Sequence, residues 1–246
     1  MAIDVLVLGA GMVGTSTALQ LARRGLSVAL VDRREPGRET SYGNAGILQR
    51  DAMEPYAFPR QWGSLLRAGL RRGIDVHYQF GALPAVLPLL ARYWWHSAPA
   101  RYAPIAQAYG ALIRHCLDEH APLIAEAGAE GLVRKEGYRF GYRTQAALDG
   151  AARAAEATAQ RHGLRMVVQD RAALAQAEPG LRLPLAGALH WQDPWSVSDP
   201  GTLVARYAQA FVARGGHLAV GDAGSLEPDG AGWRVQVRGG TLSARH

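Results

Sequence analysis

The chain has 246 residues, 48% of them hydrophobic, a formal charge of +6 and one cysteine, Cys116. That is enough apolar material for one large core or two small ones, and a lone cysteine excludes any disulfide within the chain and points to a reducing cytoplasm. The excess positive charge is almost all arginine and reads as spread along the chain; its densest cluster, Arg67, Arg71 and Arg72, is not interleaved with aromatics, so no nucleic-acid partner is expected.

Ile3 to Leu8 is an apolar run suited to a strand buried on both faces of a parallel sheet. It runs into Gly9-Ala10-Gly11-Met12-Val13-Gly14. In such a turn the first glycine allows a sharp exit from the strand, the second lets a phosphate approach the backbone, and the third lets the helix lie close to the sheet. Ala18, Leu19, Leu21 and Ala22 give the following helix an apolar face, Gly25 ends it, and Ser27 to Val31 form the second strand. Asp32 follows Gly14 by 18 residues, the spacing of a carboxylate that accepts ribose hydroxyls. Because strand, helix, second strand and acid fall in register, the segment reads as a site for the pyrophosphate and ribose of a dinucleotide.

After a polar loop, Arg33 to Ser41, comes Tyr42-Gly43-Asn44-Ala45-Gly46, small residues able to pass close to a flat ligand. A nicotinamide dehydrogenase would repeat the strand-helix pattern here, and this chain does not, which makes that reading the weaker option. Helices are predicted over Pro84 to Ser97 and Ala103 to Ala127, and a strand over Arg139 to Arg143. Thr144 caps a helix running to His162, and strands at Met166 to Gln169 and Ala188 to Gln192 flank a short helix near Ala172 to Ala177. Asp199-Pro200 opens a helix that continues to Gly215. His217 to Val220 returns to the parallel pattern, and Ala223 to Leu226 with Trp233 to Val237 make an antiparallel ribbon about Asp229-Gly230.

The expected class is therefore α/β: a Rossmann-like binding domain, parallel sheet plus antiparallel ribbon, formed by residues 1–46 and 196–246. An α+β substrate domain, residues 47–195, is inserted into it. The N-terminus enters the first strand directly, without the pattern of a secretory signal. Leu83 to Trp95 is broken by Pro84, Pro88 and Arg92 and is shorter than the roughly 20 residues that span a bilayer. A packed helix is preferred there over a seat at a bilayer surface for Trp94 and Trp95.

Other constellations carry less. Arg139, Tyr142 and Arg143 have the chemistry to meet a substrate carboxylate, but solvated strand charge is the simpler reading. Cys116 and His120 share a helix face without the partner pair a metal site needs, so no metal is expected. His190 and Trp191 read as core residues near the domain junction. Neither GxSxG nor a Walker lysine motif occurs, and no catalytic residue is assigned.

The glycine fingerprint, Asp32-Arg33, Thr40-Ser41 with Asn44-Ala45-Gly46, and Asp199-Pro200-Gly201 followed by Gly215-Gly216 together resemble the FAD-dependent amino-acid oxidoreductases. The likeness covers the whole chain, is strongest in its first 46 residues, and is nearest to the bacterial D-amino-acid dehydrogenases, with glycine and sarcosine oxidases more distant. It implies that Gly9, Ala10, Gly11, Met12, Val13 and Gly14 hold the FAD pyrophosphate and Asp32 the adenosine ribose, with Arg33 beside the adenine. Thr40 and Ser41 would contact phosphate, Asn44, Ala45 and Gly46 would line the flavin, and Ala223 would bracket the adenine. The implied partners are an amino acid and an electron acceptor, quinone or oxygen, with a peripheral contact at the inner membrane left open. Family members continue past the third ribbon strand, so an N-terminal fragment is expected, and a non-catalytic dinucleotide-binding or assembly fragment is the alternative function.

Overall fold

The computed structural model describes residues 3–61, 63 and 79–246, leaving Arg67, Arg71 and Arg72 outside the described residues. By their contacts the residues fall into two compact units, Met1–Asp51 with Cys116–His246, and Ala52–His115.

The larger unit is built on a five-stranded sheet of order β1-β2-β9-β10-β11. β1 (Val5–Leu8), β2 (Val28–Asp32) and the start of β9 (His217–Asp229) run parallel, with Val5 opposite Val28 and Asp32 opposite Val220. β10 (Gly232–Val237) and β11 (Gly240–Ala244) then fold back antiparallel. What reads as a strand and a separate ribbon arm is one continuous β9, whose register against β10 shifts between Arg234 and Gln236. Residues 244–246 leave β11 to lie parallel against β1: the His246 amide donates to the Asp4 carbonyl at 2.9 Å, and the Leu6 amide to the His246 carbonyl at 2.8 Å.

Two helices pack together over this sheet. α1 (Met12–Arg23) buries Thr15, Ala18 and Leu19, one face at helical spacing. α7 (Pro200–Ala213) buries Leu203, Val204, Tyr207, Ala208 and Phe211 by the same rule. Asp199 caps α7, its carboxylate accepting from the Thr202 amide at 2.9 Å, and Pro200 fills the position whose N–H needs no partner. Leu19, Leu30, Leu203, Tyr207 and Phe211 are fully inaccessible and form the centre of the core. Truncating Phe211 to alanine would cost about 3–5 kcal/mol on the usual scale for a buried aromatic.

A second sheet joins β3 (Ile47–Leu48), β8 (Trp195–Val197) and β4 (Val133–Arg134), and a third has order β5-β7-β6 (Tyr138–Tyr142, Gly187–Trp191, Met166–Asp170). α5 (Gln145–His162) starts at Thr144, whose hydroxyl accepts from the Ala147 amide, and ends at Gly163 in left-handed geometry. α6 (Arg171–Ala177) is capped by Asp170.

In the smaller unit, α2 (Leu83–His96) and α3 (Pro99–Ile113) are tied to an extended segment. Tyr102 donates to the Pro55 carbonyl, Tyr93 to the Tyr56 carbonyl, and the Phe58 amide to Ser97 Oγ. The single helix predicted over Ala103 to Ala127 is two, α3 and α4 (Cys116–Glu126). At the break the His115 amide bonds back three residues, to Leu112, where a continuing helix needs four.

α4 meets α7 through His120, whose Nδ1 lies 3.1 Å from the Tyr207 hydroxyl. Burial holds this imidazole below its usual range, with Glu119 partly opposing the effect. The unfolded chain therefore takes up the proton first, and stability falls as pH drops below about 6.5. Urea midpoints measured from about pH 8 down to about pH 5 should decline in that window, and His120→Phe should flatten the decline; an unaltered slope in the variant would exclude His120 as its source.

Candidate dinucleotide site

The site begins where β1 ends. Gly9 has φ +99°, a conformation side chains rarely adopt, and turns the chain out of the sheet. Gly11 is extended and precedes α1. A Cβ on Gly14 would run into the carbonyl oxygen of Gly9, so the third glycine is required by the loop folding on itself, whereas Val7 of the sheet would meet it only in ordinary contact. A Cβ on Gly11 would stand 3.3 Å from Ser41 Oγ, in the space before the helix N-terminus. A side chain there would crowd the serine hydroxyl at the helix N-terminus, and the bare backbone before a helix is the arrangement a pyrophosphate needs.

In the first turn of α1 the Met12 amide donates to Ser41 Oγ at 3.0 Å and the Thr15 amide to the Gly11 carbonyl at 2.9 Å. The amides of Val13 and Gly14, at the positive end of the helix dipole, are the pair a phosphate would meet. Ser41 is buried and Thr40 is exposed, so only the serine is built into the turn.

Asp32 sits at the end of β2. Its Oδ2 accepts from the Ala10 amide at 2.6 Å and its Oδ1 from the Arg34 amide at 3.0 Å. A carboxylate has about four lone-pair sites, so two remain for ribose hydroxyls. Arg33 and Arg34 both reach Glu39, at 3.0 and 3.3 Å, which holds them across the mouth of the loop. The loop is drawn onto the fingerprint by the Gly37 amide, which donates to the Ala10 carbonyl at 3.0 Å. Gly37 has φ +78° and passes so close to Gly201 and Val204 of α7 that no side chain fits. Glu39 and Gly37 escape a reading of the fingerprint alone, although Pro36-Gly37 is a turn signal in the sequence.

The small-residue segment is held at both ends, and at its start the Tyr42 amide donates to the Glu39 carbonyl at 2.9 Å. Asn44 Oδ1 accepts from the Gly46 amide at 2.8 Å, and the Val197 amide donates to the Gly46 carbonyl at 2.6 Å. Gly46 is buried against Val197 and Pro200 with φ +61°, whereas Asn44 and Ala45 are exposed. Ala223 is exposed, three residues along β9 from Val220, the partner of Asp32. The structure thus brings Asp32 and Ser41 each into direct contact with the Gly9–Gly14 turn, while Thr40, Asn44, Ala45 and Ala223 are exposed.

The remaining candidates have partners of their own. Arg139 is not simple solvated charge: it bonds Gln169 at 2.9 Å and Glu178 at 2.8 Å. Arg143 is exposed, and burial raises the Tyr142 phenol above its usual range. His190 Nε2 lies 2.7 Å from the Glu136 carbonyl, and Trp191 is buried. Among the described residues, no group of three or more His, Cys, Asp and Glu side chains gathers for a metal. A cleft of about 700 Å³ lies between residues 35–38 and α7, and neither the fingerprint glycines nor Asp32 line it. The candidate turn is therefore defined by backbone geometry at the helix end and is separate from this cleft.

A family profile described as "FAD dependent oxidoreductase" matches residues 4–246. A D-amino acid dehydrogenase of Xylella fastidiosa (strain M23) is 35% identical over 186 residues, covering 72% of this chain and 41% of the relative. A D-amino-acid oxidase of Bradyrhizobium diazoefficiens is 28% identical over 229 residues, 92% of this chain and 54% of the relative. The chain therefore spans about half the length of these curated relatives. The crystal structure of glycine oxidase from Geobacillus kaustophilus superposes with a TM-score of 0.63 at 21% identity, over 98% of this chain and 53% of that one, a likeness of fold.

Asp32→Ala would leave the amide of Ala10, a residue only 1% exposed, without its acceptor. The expected loss is about 1–3 kcal/mol in urea unfolding without any dinucleotide present, and less for Asp32→Asn, which keeps an acceptor oxygen. An alanine variant as stable as the parent would show that the carboxylate does not hold the turn.

Proposed function

The chain belongs to the FAD-dependent oxidoreductase family, and on that premise we propose that it holds FAD on its glycine turn and oxidises the carbon–nitrogen bond of an amino acid, a D-amino acid in the first instance. The observation that carries the reading is the turn itself, with the bare Gly11 beside Ser41, whose hydroxyl holds the first amide of α1, and Asp32 bonded to the same loop. The D configuration is supported by the names of two relatives, one a dehydrogenase and one an oxidase.

When bound, FAD supplies a hydride acceptor at N5. With an amino acid as substrate that chemistry would leave, once the nitrogen has lost a proton, an imine whose hydrolysis gives a keto acid and ammonia. This chain's own groups have positional tasks in that scheme. The Val13 and Gly14 amides bind the pyrophosphate, Asp32 the ribose, and Ser41 orients the helix end by holding the Met12 amide. Arg33, fixed by Glu39, is set beside the adenine, and Ala223 brackets it. Asn44 and Ala45, carried to the surface by the anchored Gly46, lie along the flavin, and Thr40 meets phosphate. Residues 47–195 contribute the substrate side. The electron acceptor is a quinone or oxygen, and a quinone would require the protein to visit a membrane.

The purified 246-residue chain, loaded with FAD and freed of excess, should show the visible bands of bound flavin and bleach anaerobically with D-amino acids but not their L-enantiomers. Bound flavin that no amino acid bleaches would support the second reading, a dinucleotide-binding or assembly fragment, which the half-length coverage of the relatives favours. Absence of bound flavin would remove both.

A further inference from the structure

Asp32 is followed directly by Arg33 and Arg34, and these neighbours suit different nucleotides. A carboxylate at the end of the second strand accepts the 2′-hydroxyl of an adenosine ribose, whereas an arginine at that place accommodates a 2′-phosphate. Sequence alone leaves the two chemistries in balance. The structure tips it through a residue outside the fingerprint, Glu39.

Both guanidiniums converge on one oxygen of that residue. Arg33 Nε and Nη2 each stand 3.0 Å from Glu39 Oε1, and Arg34 Nε stands 3.3 Å from the same atom. The Arg34 amide donates to Asp32 Oδ1, so this arginine leaves the backbone beside the carboxylate that would take the ribose. A guanidinium there can clamp a phosphate only if no other anion already engages it. The third arginine of the loop, Arg38, is engaged by Glu35 at 3.5 Å. Residues 32–39 thus set three arginines against three carboxylates and offer no net attraction for an added phosphate. Glu39 itself lies two residues before Ser41, in the loop that joins Asp32 to the helix end.

We propose that Glu39 is a specificity-determining residue of the adenosine site: by neutralising Arg33 and Arg34 it leaves Asp32 to select an unphosphorylated ribose, and it excludes nucleotides that carry a 2′-phosphate. The inference rests on the dinucleotide reading of the turn and adds which dinucleotides the site refuses. The refused class includes the phosphorylated nicotinamide dinucleotides, which share adenosine and pyrophosphate with FAD. Because all three side chains are a third or more exposed, the effect is a shift in selectivity of a few fold and not an absolute barrier.

The test compares two ligands that differ only in the group at issue, 5′-AMP and adenosine 2′,5′-bisphosphate, titrated calorimetrically into the full chain freed of flavin. The parent should bind AMP the more tightly. Glu39→Gln, which keeps the shape and removes the charge, should tighten the bisphosphate about fivefold and leave AMP within about twofold. Adding Arg33→Gln and Arg34→Gln to that variant should abolish the gain, since the released guanidiniums are its source. The two arginine substitutions alone leave Glu39 uncompensated and should widen the preference for AMP. Far-UV circular dichroism and urea midpoints report whether each variant keeps the parent fold. Equal changes for both ligands in Glu39→Gln would make the residue a prop of the loop's shape and overturn the proposal. So would a gain that survives without the arginines, or a parent that prefers the bisphosphate. A parent that binds neither ligand removes the dinucleotide reading itself, whereas AMP binding with a selectivity unmoved by any of these substitutions removes only the part assigned to Glu39.

Discussion

One carboxylate holds the candidate site together. Asp32 accepts the amide of Ala10 from the glycine turn and that of Arg34 from the loop that follows β2. Ala10 in turn takes the Gly37 amide on its carbonyl, so three pieces of backbone converge on a single strand end. The amides belong to a turn that must be nearly free of side chains, and the short charge-assisted bond from Ala10 fixes it without adding bulk. The helix end is then aimed by Ser41, from the far end of the same loop. Positioning and binding are therefore properties of one network, and a change at Asp32 acts on the shape of the turn before it acts on any ligand.

Much of this was legible in the sequence because it depends on local chemistry. The turn, α1, β2 and Asp32 follow from glycine spacing and apolar runs, and the caps at Thr144 and Asp199 and the stop at Gly163 lie where their side chains or their lack of one predict. Less legible were the pieces set by tertiary partners. β3 and β4 have two residues each, too short to show a period, and exist because β8 lies between them. The break between α3 and α4 carries no glycine or proline at Arg114 and His115. Arg139, which composition assigns to solvent, found Gln169 and Glu178 only once the third sheet and the chain after α6 were folded. In the site, Glu39 and Gly37 act through partners distant from the fingerprint motif.

The smaller unit shows how far composition can mislead when order is ignored. Whole-chain charge suggested an even surface, while carboxylates are scarce, Glu54 and Asp75 alone, in the segment that also carries the exposed leucines and tryptophans. A helix rich in leucine reads as core by pattern, and α2 contradicts that expectation by leaving every position accessible. Hydrophobic pattern predicts that a face will be covered; it does not say by what.

The pairing of residues 244–246 with β1 has a kinetic consequence. The bonds of β1 on one side go to β2, about two dozen residues later, while those on the other go to residues some 240 positions later. During synthesis, β1, α1 and β2 can associate early, but the second edge of β1 remains open until residue 246 has left the ribosome. An open edge on an apolar strand is a template for wrong pairing, so the dinucleotide turn rests on a strand that is exposed to misassembly until those far-off residues have been made.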